Sequence, residues 1–304
     1  MASDNSDYVK SYNSKETIVQ FLKNGWSHLI RLMASNVLFV LFNIPAIIIS
    51  YFVASVFVPV LSPVLHWDIL LYVPSESGDS VISYEMYLLL IVYFINCLVS
   101  SGLICVGPFQ AGFSNVYRSI RNGTSVSFFS DFKSGMKNNV GKSLVSMIIG
   151  IVITGVLLLA VSFYLNINKI IGMLFVFLFF AFMLFQNLVY QLIASTELKL
   201  YEIYRKSFLI LLVRFVPYLG VSLILILFYF VIPFFLLMSA SFLTLGIYIF
   251  LYSFIVISWT QYLLSCINRR LISKFVLEKT YYSDNYSDEN EIELEVEEEG
   301  NNES

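Results

Sequence analysis

Residues 142–197 read KSLVSMIIGIVITGVLLLAVSFYLNINKIIGMLFVFLFFAFMLFQNLVYQLIASTE, and this stretch decides the fold. Lys169 is the only charged residue between Lys142 and Glu197, and it divides the stretch into two uncharged runs of 26 and 27 residues. A helix needs about 20 apolar residues to cross the hydrocarbon core of a bilayer. The stretch therefore predicts two consecutive membrane helices joined at Lys169.

Uncharged runs of similar or greater length lie on both sides of this pair. They extend from Arg31 to Asp68, from Glu85 to Arg118 and from Arg214 to Arg269. The last run has 54 residues, or about 80 Å of helix, which is too long for one crossing of a core about 30 Å thick. We therefore predict an all-α bundle of six membrane helices, near residues 34–60, 87–110, 144–166, 170–194, 214–238 and 242–266.

Basic residues are confined almost entirely to one side of these six helices. The terminal segments and the loops after the second and fourth helices hold 17 of the 18 Lys and Arg residues, and only Lys169 lies on the other side. The segment 61–86 has four acidic residues and no basic one. Because positively charged segments stay in the cytoplasm, we expect both termini to be cytoplasmic and segment 61–86 to be outside.

Composition agrees with a membrane domain and excludes a soluble one. The chain is 58% hydrophobic and 13% charged, and its mean hydropathy is +0.78. The net charge of −3 reflects ten acidic residues after Thr280. We predict a disordered N-terminus over 1–14, a six-span membrane domain over 15–280 and an acidic disordered tail over 281–304.

Two shorter segments show the apolar spacing of amphipathic helices, with apolar residues three or four positions apart. Within 15–33 these are Ile18, Leu22, Trp26, Leu29, Ile30 and Met33, and in the loop after the second span they are Phe128, Phe132, Met136 and Val140. We expect both helices to be cytoplasmic. The first lies on the inner leaflet or extends the first span, and the second lies against the bundle or the bilayer.

Prolines predict irregular points inside two of the spans. Pro45 and Pro233 lie in the middle of apolar runs. A proline inside a helix removes one backbone hydrogen bond and clashes with the preceding turn, so we expect a kink at each.

Five basic residues in and around the loop after the second span form a candidate docking or lipid-contact face. They are Arg118, Arg121, Lys133, Lys137 and Lys142. Beside an anionic inner leaflet, each such residue contributes about 1 kcal/mol of attraction to lipid. The same charges would serve a protein partner equally well, and the sequence leaves both interpretations open.

Inside the predicted spans, the candidate functional groups are uncharged. Gln186, Asn187 and Gln191 cluster in the fourth span. Carriers of charged substrates usually hold ionisable residues within the membrane, whereas amides suit a neutral polar solute. The amides are therefore a candidate solute path, or else they form hydrogen bonds between neighbouring helices.

No residue pattern points to catalysis. The two histidines, His28 and His66, are predicted on opposite sides of the membrane, and no metal-binding, hydrolase or nucleotide-binding motif is present. Cys97, Cys105 and Cys266 all fall at membrane depth, where a disulfide framework is not expected. We therefore expect no catalytic, cofactor-binding or metal site and no nucleic-acid partner.

Four stretches carry a resemblance to a known family. They are NVLFVLFNIP (36–45), GPFQAGFSNVYRSIRNG (107–123), FFSDFKSGMKNNVGKSL (128–144) and QNLVYQLIASTELKLYEIYRKSFLILL (186–212). In these the chain resembles the YesL family of uncharacterised bacterial membrane proteins. The resemblance implies a multi-pass protein of the bacterial plasma membrane, of a kind often associated with carbohydrate-uptake operons.

The sequence and this resemblance together favour a non-enzymatic accessory or regulatory component of an ABC-type carbohydrate-uptake system. Its expected partners are the lipid bilayer and a membrane transport complex. The alternative is an autonomous carrier for a small neutral solute that uses the amides of the fourth span.

Overall fold

The computed structural model describes residues 17–74, 80–123, 127–239 and 241–272. The predicted terminal segments 1–14 and 281–304 lie outside these residues. In chain order the elements are α1 (Thr17–Ser27), α2 (Leu29–Phe42), α3 (Ile44–Leu61), α4 (Asp68–Leu71), β1 (Tyr72–Pro74), β2 (Ser80–Ile82), α5 (Tyr84–Ser100), α6 (Gly107–Asn122), α7 (Phe128–Asn138), α8 (Val140–Ile167), α9 (Lys169–Ser195), α10 (Leu200–Val213), α11 (Phe215–Ile226), a π-helical turn (Leu227–Val231), α12 (Ile232–Met238), α13 (Phe242–Phe254) and α14 (Val256–Ile272).

The predicted helical membrane bundle is confirmed, with four to six candidate crossings. Four helical segments are long and apolar enough to cross a membrane: Ile44–Leu61, Val140–Ile167, Lys169–Ser195 and Tyr218–Met238. Two bent pairs raise the number to six if each counts as one crossing. One pair is α1 with α2, bent by 77°, and the other is α13 with α14, bent by 44°. Helix α5 is apolar but shorter, with 17 residues.

Two of the six predicted helices are confirmed as continuous. Helix α8 contains the predicted span 144–166, and α9 contains the span 170–194. They form an antiparallel hairpin, and the Asn168 side chain accepts the backbone N–H of Ile170 at the start of α9 at 2.9 Å. Gly172 allows a close approach there, because a Cβ would lie 2.5 Å from Leu165.

The predicted span 214–238 corresponds to the candidate crossing Tyr218–Met238, which contains the π-helical turn. The other three predicted helices are interrupted, which corrects the sequence-based bounds. The span 34–60 breaks at Asn43, between α2 and α3, and the span 87–110 breaks between Ser100 and Gly107. The span 242–266 bends at Ile255.

Neither of the two prolines lies in the middle of a helical element, where the sequence predicted a kink. Pro45 and Pro233 occupy the first turns of α3 and α12. Proline is tolerated at the start of α3, since the N–H groups of a helix's first turn have no partner within the helix. Pro233 instead lies just after the π-helical turn within one helical segment.

The bundle has two distinct ends. At one end, which we call the hairpin end, β1 and β2 pair antiparallel, with Val73 opposite Val81. Near it, Met238 at the end of α12 packs with Val58 and Leu90. At the opposite end, which we call the basic end, α1 and α7 both pack against α6. Gly112 and Gly135 allow α6 and α7 to approach closely.

Candidate functional site

Helices α9 and α14 meet through side-chain amides inside the bundle. Asn187 Oδ1 accepts a hydrogen bond from Gln261 Nε2 at 2.8 Å, and Gln191 Oε1 accepts one from Asn268 Nδ2 at 2.7 Å. We call this group the amide seam and define it as Gln186, Asn187, Gln191, Gln261 and Asn268. Every member is at most 6% exposed.

Two further hydrogen bonds extend the amide seam to α8 and α11. Gln186 Nε2 donates to the carbonyl oxygen of Ser146 on α8 at 3.0 Å, while its Oε1 makes no hydrogen bond within the described residues. The hydroxyl of Tyr218 on α11 donates to Asn268 Oδ1. Hydrogen bonds of the seam therefore join four helices, and one buried acceptor, Gln186 Oε1, is left over.

The structure brings together the three amides that the sequence predicted as a solute path. Asn187 and Gln191 face α14, whereas Gln186 faces α8. The sequence did not predict Asn268 as a functional residue, because it is next to Arg269 and falls beyond the predicted end of the span at residue 266. Its signal was the spacing of seven residues from Gln261, which places both amides on one helix face.

The amide seam adjoins the break between α5 and α6. Asn187 Nδ2 donates to the carbonyl oxygen of Ser101 at 2.8 Å, and Asn43 Oδ1 accepts the backbone N–H of Val106 at 2.8 Å. Between them Gly102 has φ +75, a left-handed conformation that favours glycine. Buried backbone groups outside a helix or sheet need such partners, because leaving them unpaired costs free energy. Side chains from α9 and from the junction between α2 and α3 therefore hold both ends of this break.

The break between α13 and α14 is held in the same way by a single residue. Asn36 Nδ2 donates to the carbonyl oxygen of Tyr252 at 2.6 Å, and its Oδ1 accepts the backbone N–H of Ser258 at 2.7 Å. Asn36 is fully buried. One side chain of α2 thus pairs a backbone acceptor before the bend and a backbone donor after it.

The π-helical turn is tied to the same region. Its wide geometry leaves backbone carbonyl groups that accept side-chain donors. The carbonyl oxygen of Phe228 accepts a hydrogen bond from the hydroxyl of Tyr252, and that of Tyr229 accepts one from the thiol of Cys97 at 3.3 Å. The hydroxyl of Tyr229 bonds Thr260, the residue before Gln261. Single π-helical turns are frequent at functional sites, and this one contacts the helix that supplies half of the amide seam.

At the basic end, the five predicted basic residues divide into two groups. Arg118 donates to the carbonyl oxygen of Ala194 at 3.1 Å, Arg121 to that of Ser265 at 2.8 Å, and Lys142 to that of Glu197 at 3.3 Å. These three hold α6 and α8 to backbone groups of neighbouring segments. Lys133 and Lys137 on α7 are exposed and remain available for lipid or for a partner.

In the part of the chain that the structure describes, no three His, Cys, Asp or Glu side chains are placed to bind a metal ion. Cys97, Cys105 and Cys266 are buried free thiols. The polar interior among these residues consists of amides and hydroxyls.

Comparison with protein-family models, curated proteins and solved structures finds no match to this chain. Its function must therefore be inferred from the amide seam and the basic end.

Proposed function

We propose that this chain is a carrier for a small neutral polar solute and that the amide seam is part of the solute path. The supporting observation is that Asn187 joins the amides of α9 to α14 and to the α5–α6 break at the same time. Carriers commonly bind their substrates where membrane helices are discontinuous. Amide side chains both donate and accept hydrogen bonds, so hydroxyl or amide groups of a solute are suitable ligands.

The strength of the seam is compatible with reversible opening. Side-chain hydrogen bonds between membrane helices average about 0.6 kcal/mol each. Breaking the hydrogen bond between Asn187 and Gln261 therefore costs little free energy. A solute that forms hydrogen bonds with both side chains can replace it. The seam members are all neutral, so the proposal is restricted to uncharged substrates.

Our proposed topology has six crossings in a bacterial plasma membrane, with both termini in the cytoplasm. The crossings are α3, α5, α8, α9, the α11–α12 segment and the α13–α14 pair. The concentration of Lys and Arg at the basic end supports a cytoplasmic location for that end.

Reconstitution tests the carrier directly. Pure protein in liposomes should move radiolabelled glycerol, glucose or urea faster than empty liposomes do. Gln261→Met removes the amide with little change in volume and should lower the flux at least several-fold. Asn166→Leu is the matched control, because among the described residues that amide bonds only Ser162 of its own helix. Absence of flux for every probe, or equal loss in both variants, would argue against the carrier.

A second candidate, the accessory component of an ABC-type carbohydrate-uptake system, is favoured by the outer face of α7. Phe132 and Gly135 bury one side of α7 against its neighbours, while Lys133, Lys137 and the 67% exposed Phe129 lie on its open side. The sequence and its family resemblance together rank this role first. We reverse the order because of the helix breaks around the amide seam, which the sequence did not predict.

Purification in mild detergent tests the accessory role. A membrane transport complex should copurify in fixed proportion with the native chain and be lost from the Lys133→Glu, Lys137→Glu double variant. Lys169→Glu, a charge reversal at the far end of the bundle, should retain it. A native chain that brings down no partner would remove the accessory role.

A further inference from the structure

We propose that α1 is a lipid-binding helix that lies in the plane of the membrane surface, with Leu22 and Trp26 inserted among the lipids. The two side chains are one helical turn apart and are 55% and 74% exposed. Ile30, just beyond the bend that follows α1, is 82% exposed. The proposal goes beyond both candidate functions, since either of them leaves it unchanged.

The opposite face of α1 is already occupied by the bundle. The ring of Phe21 stacks on Tyr262 of α14 with centroids 5.2 Å apart, and Asn24 donates to the carbonyl oxygen of Arg121 at 3.2 Å. At Gly25 an added Cβ would lie 3.1 Å from the ring of Trp259. These contacts fix the rotation of α1, so Leu22 and Trp26 cannot turn inward.

The orientation of α1 points to lipid as the occupant of its open face. Helix α1 makes an angle of 77° with α2, and α2 leads through Asn43 into α3, the first crossing of the proposed topology. If α2 enters the bilayer, α1 runs close to its surface. Further exposed apolar side chains follow along the chain at Ile30, Leu41 and Ile44.

The chemistry of the open face agrees with this placement. Tryptophan is concentrated at membrane interfaces, and Lys beside apolar residues is typical of helices that lie in the interface. Lys23 is exposed beside Leu22 and Trp26. Its ammonium group can reach the anionic headgroups while its alkyl chain follows the helix.

Spin labelling tests the proposal residue by residue. In a chain whose three cysteines are replaced by alanine, single cysteines at Leu22, Lys23, Trp26 and Ser27 would carry the label. The protein would be reconstituted in vesicles of phosphatidylcholine and phosphatidylglycerol. Labels at 22 and 26 should be relaxed mainly by oxygen, which concentrates in lipid, and labels at 23 and 27 mainly by a water-soluble nickel complex. Val152, 58% exposed on α8, provides the lipid-facing reference.

Two outcomes would overturn the proposal. Labels at 22 and 26 that are relaxed as strongly by nickel as those at 23 and 27 would place this face in water. Labels shielded from both reagents would place it against a protein. If the alanine background does not fold, brominated lipid, which quenches tryptophan on contact, tests the same point in the native chain. Brominated lipid should then quench a larger fraction of the tryptophan fluorescence in the native chain than in the Trp26→Phe variant.

Discussion

At the level of single residues, Asn36 shows how a membrane helix can bend without leaving its backbone groups unpaired. Its amide bonds backbone groups that lie 216 and 222 positions away in the chain. In a continuous helix the carbonyl of Tyr252 would pair with the N–H of Val256. The bend removes that bond, and the Asn36 amide takes its place.

Asn36→Leu should therefore destabilise the fold. The substitution leaves the carbonyl of Tyr252 and the N–H of Ser258 buried without partners, and each such group costs about 1–3 kcal/mol. Thermal unfolding in detergent should show a clear loss of stability for this variant and a much smaller one for Asn166→Leu. Equal losses of stability in the two variants would mean that the hydrogen bonds of Asn36 to Tyr252 and Ser258 do not stabilise the bend.

Two glycines provide a matched pair for testing close helix contact. At Gly107, where α6 begins, a Cβ would lie 2.1 Å from the carbonyl oxygen of Ser143 on α8, whereas at Gly155 nothing lies within 4 Å. Gly107→Ala should sharply reduce the yield of folded protein. Gly155→Ala should be neutral or stabilise α8 by up to about 1 kcal/mol, as alanine does in helix interiors. Normal yield of Gly107→Ala would contradict the close contact of α6 with α8.

At the level of helices, the apolar runs predicted α8 and α9 well and the broken helices poorly. An uninterrupted run such as 242–266 reads as one helix, because neither Gly nor Pro marks the bend at Ile255. The bend depends on Asn36, which is remote in sequence, and a single chain gives no means of pairing the two. Similarly, the sequence predicted Gln186, Asn187 and Gln191 but not Asn268, whose role depends on how α14 packs.

Helix α7 offers a direct test of its amphipathic packing. Phe132 contacts Phe113 and Phe42, with ring centroids 4.9 and 5.3 Å apart, whereas Phe129 on the same helix is 67% exposed. Phe132→Ala should cost about 3–5 kcal/mol of unfolding free energy, as for other buried phenylalanines. Phe129→Ala should cost far less. Denaturant unfolding in detergent measures both, and similar costs would mean that α7 does not use this face.

At the level of the whole molecule, the proposed topology predicts which end can be labelled from outside the cell. Asp68 near the hairpin end and Ser134 at the basic end are both exposed. In a cysteine-free background, a cysteine at Asp68 should react with an impermeant maleimide on intact cells, and one at Ser134 should react only after lysis. The reverse pattern would invert the topology.

The two antiparallel pairs of the bundle differ in length, and this difference has a consequence for the surrounding lipid. Helices α3 and α5 have 18 and 17 residues, whereas α8 and α9 have 28 and 27. At 1.5 Å per residue, the first pair spans about 26 Å and the second about 41 Å. In the proposed topology, in which all four helices are crossings, lipid beside α3 and α5 thins while α8 and α9 tilt, and this hydrophobic mismatch should draw the protein towards thinner regions of the membrane.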